Sequence, residues 1–140
     1  MGYQLAVWEG PRPADDETGV QRFQAMAQQY LVGEPTEPTL AIRTFLGALT
    51  TIWTDDPQDP RWARSPWKSS SLLESASGPI VFLDLTLRAE LIVSSVIASI
   101  AEDHGLVTFD LMVGMLRPVS EEVIAEHMRG SGEFGIGEGV

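Results

Sequence analysis

The sequence predicts an α/β protein: a single layered domain with a small mixed sheet of three to four strands, covered by two to three long helices. Three stretches carry that expectation. Gly78 to Asp110 reads as strand, helix, strand; Tyr3 to Trp8 alternates as a strand does; and Thr39 to Trp53 repeats apolar residues at helical spacing. In order the chain reads strand, helix, helix, long irregular stretch, strand, helix, strand, small helix, and such alternation lays helices against a sheet.

In the opening stretch Tyr3, Leu5 and Val7 alternate with Gln4, Ala6 and Trp8, the period of a strand. Glu9-Gly10-Pro11-Arg12-Pro13 ends it in a stiff turn, because proline lacks the amide a ladder needs. Asp15 or Asp16 caps the first helix, with Glu17 in its first turn; Val20, Phe23, Ala27, Tyr30 and Leu31 form its apolar face, and Gly33 closes it. After the rigid link Glu34-Pro35-Thr36-Glu37-Pro38, Ile42, Phe45, Leu46, Leu49, Ile52 and Trp53 make the clearest amphipathic helix of the chain. Gly47 inside it costs about 0.8–1 kcal/mol of helix propensity against Ala, which close approach of another element would explain.

The unit from Gly78 to Asp110 follows the same logic. Ile80, Val81, Phe82 and Leu83 are consecutive apolar residues, the mark of a strand covered on both faces. Thr86 is placed to cap the next helix, Glu90 suits its first turn, and Val93, Val96, Ile97 and Ile100 give it one apolar face, widened by Ala89 and Ile92. Gly105 ends that helix, and Leu106 to Asp110 form the second strand. Two strands so joined can run parallel, with a right-handed crossover. A turn at Gly114, a short last strand to Leu116 and a small helix capped by Ser120 complete a domain expected over residues 1–129. Residues 130–140, rich in glycine, form a tail expected to be mobile.

Composition narrows function more than it names it. Acids outnumber bases 20 to 9, a formal charge of −11, so nonspecific nucleic-acid binding, which needs clustered cations, is not expected. An acidic surface suits a basic protein partner, or simply solubility. The chain has no cysteine, which removes disulfides, thiol catalysis and thiolate metal sites. No apolar run approaches the roughly 20 residues of a membrane span, and Met1-Gly2-Tyr3-Gln4 lacks the start of a secretory signal. A cytoplasmic protein without cofactor or membrane contact is the expectation.

Candidate sites are few. The stretch from Thr54 to Leu73 is long for an irregular loop, and it interleaves Arg61, Arg64 and Lys68 with Trp62 and Trp67. Trp and Arg are frequent interface anchors, so these five residues form the candidate interaction surface; the plainer role for the tryptophans is to plug the core. Asp84 and Asp110 end the two apolar strands of the central unit, where an open sheet often binds ligands, although capping and turn formation account for aspartates there as well. His104 and His127 lack further ligands at zinc spacing. Asp55, Asp56 and Asp59 lack the alternation and glycine of a calcium loop. Ser77 precedes a strand where a nucleophile elbow would follow one, and the terminal glycines open no helix that a phosphate could dock on.

Several landmarks, Tyr3-Gln4-Leu5-Ala6-Val7-Trp8-Glu9-Gly10, Ser65-Pro66-Trp67, Ala76-Ser77-Gly78-Pro79 and Glu102-Asp103-His104-Gly105-Leu106-Val107, resemble a group of small proteins of actinobacterial type. The likeness spans about residues 3 to 110 and departs near Leu111. It implies one compact cytoplasmic domain and brings no activity or catalytic residue with it. By analogy alone, some comparably small acidic proteins act as immunity proteins against secreted toxins. The leading expectation is therefore a noncatalytic interaction protein. The alternatives are a small enzyme or ligand-binding domain at Asp84 and Asp110, and a homo-oligomeric structural protein pairing through a strand edge.

Overall fold

The alternating opening stretch forms strand β1, Tyr3–Glu9, and it occupies the centre of the sheet. The structure, a computed structural model, describes residues 3–86 and 90–118; the small helix expected from Ser120, His127 and the glycine-rich tail lie outside them. Strands β2 (Ala76–Ser77), β3 (Ile80–Leu85), β4 (Leu106–Asp110) and β5 (Met115–Arg117) complete a five-stranded sheet in the order β2-β3-β1-β4-β5. Leu5 stands opposite Leu83 on one side and Asp110 on the other, and every pairing is antiparallel. This corrects the mixed sheet of three to four strands. β3 and β4 do run parallel, but β1 lies between them. The additional strand is β2, two residues long and too short for a period of two to reveal, while β5 is the short last strand expected after the Gly114 turn.

Because β1 carries apolar residues on both faces, both must be covered, and the pleat sends alternate residues to different layers. Tyr3, Leu5 and Val7 join Val81, Leu83 and Leu85 under helices α2 (Leu40–Ile52) and α3 (Glu90–Asp103). Ala6 and Trp8 join Ile80, Val107 and Phe109 under helix α1 (Asp16–Met26), which continues as a π-helical turn over Ala27–Val32. The architecture is a sheet between two helical layers.

Each helix is placed by its ends. Asp15 caps α1, its Oδ1 accepting from Thr18 N at 2.8 Å, while Asp16 Oδ1 accepts from Leu116 N at 2.9 Å and ties the helix start to β5. Gly19 then lets α1 sit directly on the sheet: a Cβ there would stand 3.0 Å from the Phe109 ring. At the other end of this layer the Tyr30 ring lies over Gly78, whose φ of +55° sets the turn between β2 and β3. Gly78 donates to Thr36 O and accepts from Thr39 N, both at 3.0 Å, so the link between the helices is anchored to the same turn.

Thr39 caps α2 through its hydroxyl and Ile42 N, and Ile42, Phe45, Leu46 and Leu49 are buried as their spacing requires. Ile52, expected on that face, is 51% exposed, because the helix ends there and Trp53 turns back toward the core. Gly47 is exposed, and a Cβ on it would meet nothing within 4 Å among the described residues. The close neighbour that its glycine suggests is absent from the described part of the chain. α3 ends as expected, at Gly105 with φ +73°.

Leu49→Ala and Ile97→Ala, both at positions of 0% exposure, are each expected to cost about 2–5 kcal/mol. Gly47→Ala is expected to do the reverse and stabilise by about 0.8–1 kcal/mol, since it restores helix propensity without a clash. Urea midpoints of the three variants check both signs together.

Candidate interaction site

The stretch from Thr54 to Leu73 is fastened along the outer edge of β3. Trp67 pairs with Leu85 as an antiparallel bridge, Lys68 N donates to Asp84 O at 2.9 Å, and Thr86 N donates to Pro66 O at 2.8 Å. The Trp67 indole Nε1 donates to Trp53 O at 3.1 Å, and the two indoles meet edge to face with centroids 6.1 Å apart. At 2% exposure Trp67 belongs to the core beneath α2. This removes Trp67 from the candidate interaction surface, because a partner could reach it only after β3 lost its edge.

The other members of the set lie further out. Pro60–Arg64 forms a short 3₁₀ turn capped by Asp59, whose Oδ1 accepts from Arg61 N at 2.8 Å. Trp62 is half-buried against the same core, while Arg61, Arg64 and Lys68 are exposed. Arg61 is already engaged, its Nη2 lying 2.7 Å from Asp59 Oδ2. Hydrogen bonds from Arg61 hold the Asp59 carboxyl down at about 2. What the stretch offers a partner is the outer side of Trp62 together with Arg64 and Lys68.

Asp84 and Asp110 do not meet. Asp110 opposes Leu5 and Asp84 opposes Gln4, neighbouring residues of β1 whose side chains leave opposite faces of the sheet. Asp110, at 0% exposure, closes the β4–β5 hairpin: Oδ1 accepts from Met112 N at 3.0 Å and Val113 N at 3.3 Å. Its Oδ2 accepts from the Tyr3 hydroxyl and from Arg117 Nη2 at 3.0 Å. A carboxylate so surrounded holds β1, β4 and β5 together at one end of the sheet. Asp84 is half-buried on the α1 side, and its Oδ1 has no hydrogen-bond partner among the described residues.

The remaining candidates have structural partners. Ser77 Oγ accepts from Thr36 N at 2.8 Å, and His104 Nδ1 lies 2.9 Å from Ile100 O with its ring edge-on to Phe45. Asp55 Oδ2 accepts from Leu72 N and Asp56 Oδ1 from Gln58 N, each at 2.9 Å, so Asp56 serves its own turn and Asp55 ties the start of the stretch to its end. Among the described residues no group of three His, Asp or Glu is placed to hold a metal ion.

One concavity was not foreseeable from motifs. A shallow groove of about 330 Å³ runs between the π-helical turn and the β2 edge, walled by Tyr30, Leu31, Pro35, Ala76 and Phe82, with Glu74 the one charged side chain lining it among the described residues. Tyr30 and Leu31 read in the sequence as helix core and Phe82 as strand core. They reach the groove because β3 has only the two-residue β2 beyond it at that end.

Trp67→Ala is expected to cost about 3–5 kcal/mol and Trp62→Ala markedly less, a contrast that chemical denaturation of the two variants measures directly. A second expectation concerns alkali. Burial first, then the hydrogen bond to Asp110, raises the Tyr3 phenol above its ordinary value. The unfolded chain then releases this proton at lower pH than the folded one, so the contribution is complete below about pH 10 and is lost as pH rises further. Tyr3→Phe should flatten the fall in melting temperature above that pH.

No protein-family model, curated protein or solved structure matches the chain.

Proposed function

We propose that the chain is a noncatalytic interaction protein of the cytoplasm that takes a basic protein partner, with immunity-like inhibition of that partner as its sharpest form. The groove beside β2 is the observation that carries this reading. Tyr30 and Phe82 offer ring surface and Glu74 a carboxylate, a combination suited to the aliphatic stem and cationic head of a Lys or Arg side chain. The wider surface agrees in sign. Asp15, Glu17, Glu34, Asp56, Glu74, Glu102 and Asp103 are exposed and take part in no ion pair among the described residues. Such unneutralised carboxylates steer a basic partner toward the protein from a distance.

Arg64 and Lys68 flank the half-exposed Trp62, which packs against the other core layer, so these cations do not line the groove and add nothing to its attraction for a basic partner. Catalysis at Asp84 and Asp110 has no comparable support, since the two carboxylates lie on opposite faces of the sheet.

Affinity capture on the immobilised chain, with mass-spectrometric identification and repetition in low and high salt, tests the proposal. The expected result is one stoichiometric protein with excess Lys and Arg, released by salt, and bound about tenfold or more weakly by Glu74→Lys. A retained protein that is neutral or acidic, or retention indifferent to both salt and Glu74→Lys, would overturn it.

A further inference from the structure

The outer face of α2 carries a second and separate surface. Leu40, Arg43 and Gly47 follow one another along its solvent side at helical spacing, and Leu40 is 73% exposed. A groove of about 230 Å³ runs beside this line, with Leu73, 48% exposed, on its far wall and the buried Leu46 and Leu72 also lining it. Gly47 lies on the groove itself. A Cβ on it would meet nothing within 4 Å among the described residues, so the helix carries the propensity cost of glycine with no packing reason within the described chain. An exposed mid-helix glycine is what the close approach of another backbone requires.

We propose that this face packs against the same face of a second copy of the chain, with the two α2 helices antiparallel across a twofold axis at Gly47. The charge pattern selects this occupant. Arg43 precedes Gly47 on the groove, while Asp55 lines its other end and Asp56 follows. Two antiparallel copies therefore set the Arg43 of each against the carboxylates beyond the other's helix end. The surface is its own complement, as an isologous interface must be. A uniformly basic partner would instead press cations on Arg43. Arg43 is free to take the new contact: its ion pair with Glu37 is 3.8 Å long, with the two side chains 49% and 89% exposed, and such pairs are weak.

Sedimentation equilibrium of the full chain over a range of concentrations tests the inference, with Gly47→Gln as the decisive variant. Glutamine leaves the net charge unchanged, finds open space in the monomer and raises helix propensity, so at concentrations where both are monomeric the variant should melt no lower than the parent. The expected result is a parent dimer whose dissociation constant rises about tenfold or more in Gly47→Gln. Because the chain has no cysteine, Gly47→Cys gives a second arm. Cα atoms within roughly 7 Å across a twofold axis can be bridged, so mild oxidation should yield a disulfide-linked dimer, while Ser99→Cys, exposed on α3, should not. A parent monomeric at every concentration would overturn the proposal and leave the groove to another occupant, either a different protein or residues of this chain beyond 118. A Gly47→Gln variant as dimeric as the parent would overturn it too, by placing the contact elsewhere.

Discussion

The insertion of β1 between β3 and β4 is the constraint from which the rest of the structure follows. The two strands of the Gly78 to Asp110 unit pair with β1 rather than with each other, so the sheet is continuous only through this one strand. This strand is also desolvated on both faces. Leu5 and Val7 on one face and Ala6 and Trp8 on the other each have 0% exposure, which obliges the chain to supply helices to both sides. The start of β1 is then locked from two directions, by its ladders and by the Tyr3 hydroxyl donating to the buried Asp110. Breaking one side of a buried charged network is far more costly than the network's net worth. Asp110 therefore belongs to the frame of the protein.

Local chemistry was legible in the sequence and pairing was not. Asp15 and Thr39 cap the helices they precede, Gly105 ends α3, and the ranges of β3 and β4 agree with their apolar runs. These features depend on neighbours a few residues away. The position of β1 depends on which strands lie beside it, and the alternation of Tyr3 to Trp8 is the same for a central strand as for a marginal one. Trp67 illustrates the point at the level of a site. Beside Arg64 and Lys68 its composition suggested an interface, but its indole finds Trp53 and its backbone finds Leu85, partners 14 and 18 residues distant. The groove at Tyr30 and Phe82 was hidden for the same reason, because both residues carry the apolar signal of core.

Both margins of the sheet are closed by irregular chain rather than by long strands. On the β3 side, Ala76–Ser77 and Trp67 cover the two ends of the strand, with the Leu72–Ser75 turn looped out between them. On the β5 side, Arg12 donates to the carbonyl oxygens of Arg117 and Pro118. Short, interrupted or side-chain-capped edges discourage sheet-to-sheet pairing. The partner binding proposed above would accordingly be better served by side-chain surfaces, such as the groove beside β2 and the outer line of α2, than by strand addition.

The central place of β1 also has a consequence for the chain as it is made. About 70 residues separate the end of β1 from the start of β3, and at roughly 5–20 residues per second a ribosome takes on the order of several seconds to supply them. Throughout that interval Leu5, Val7 and Trp8 have neither of the strands that will bury them. β4 follows later still, after α3. The nascent chain must therefore keep β1 out of trouble without the sheet's help, and any chaperone that attends this protein during synthesis would find its natural substrate in that strand before β3 and β4 are made.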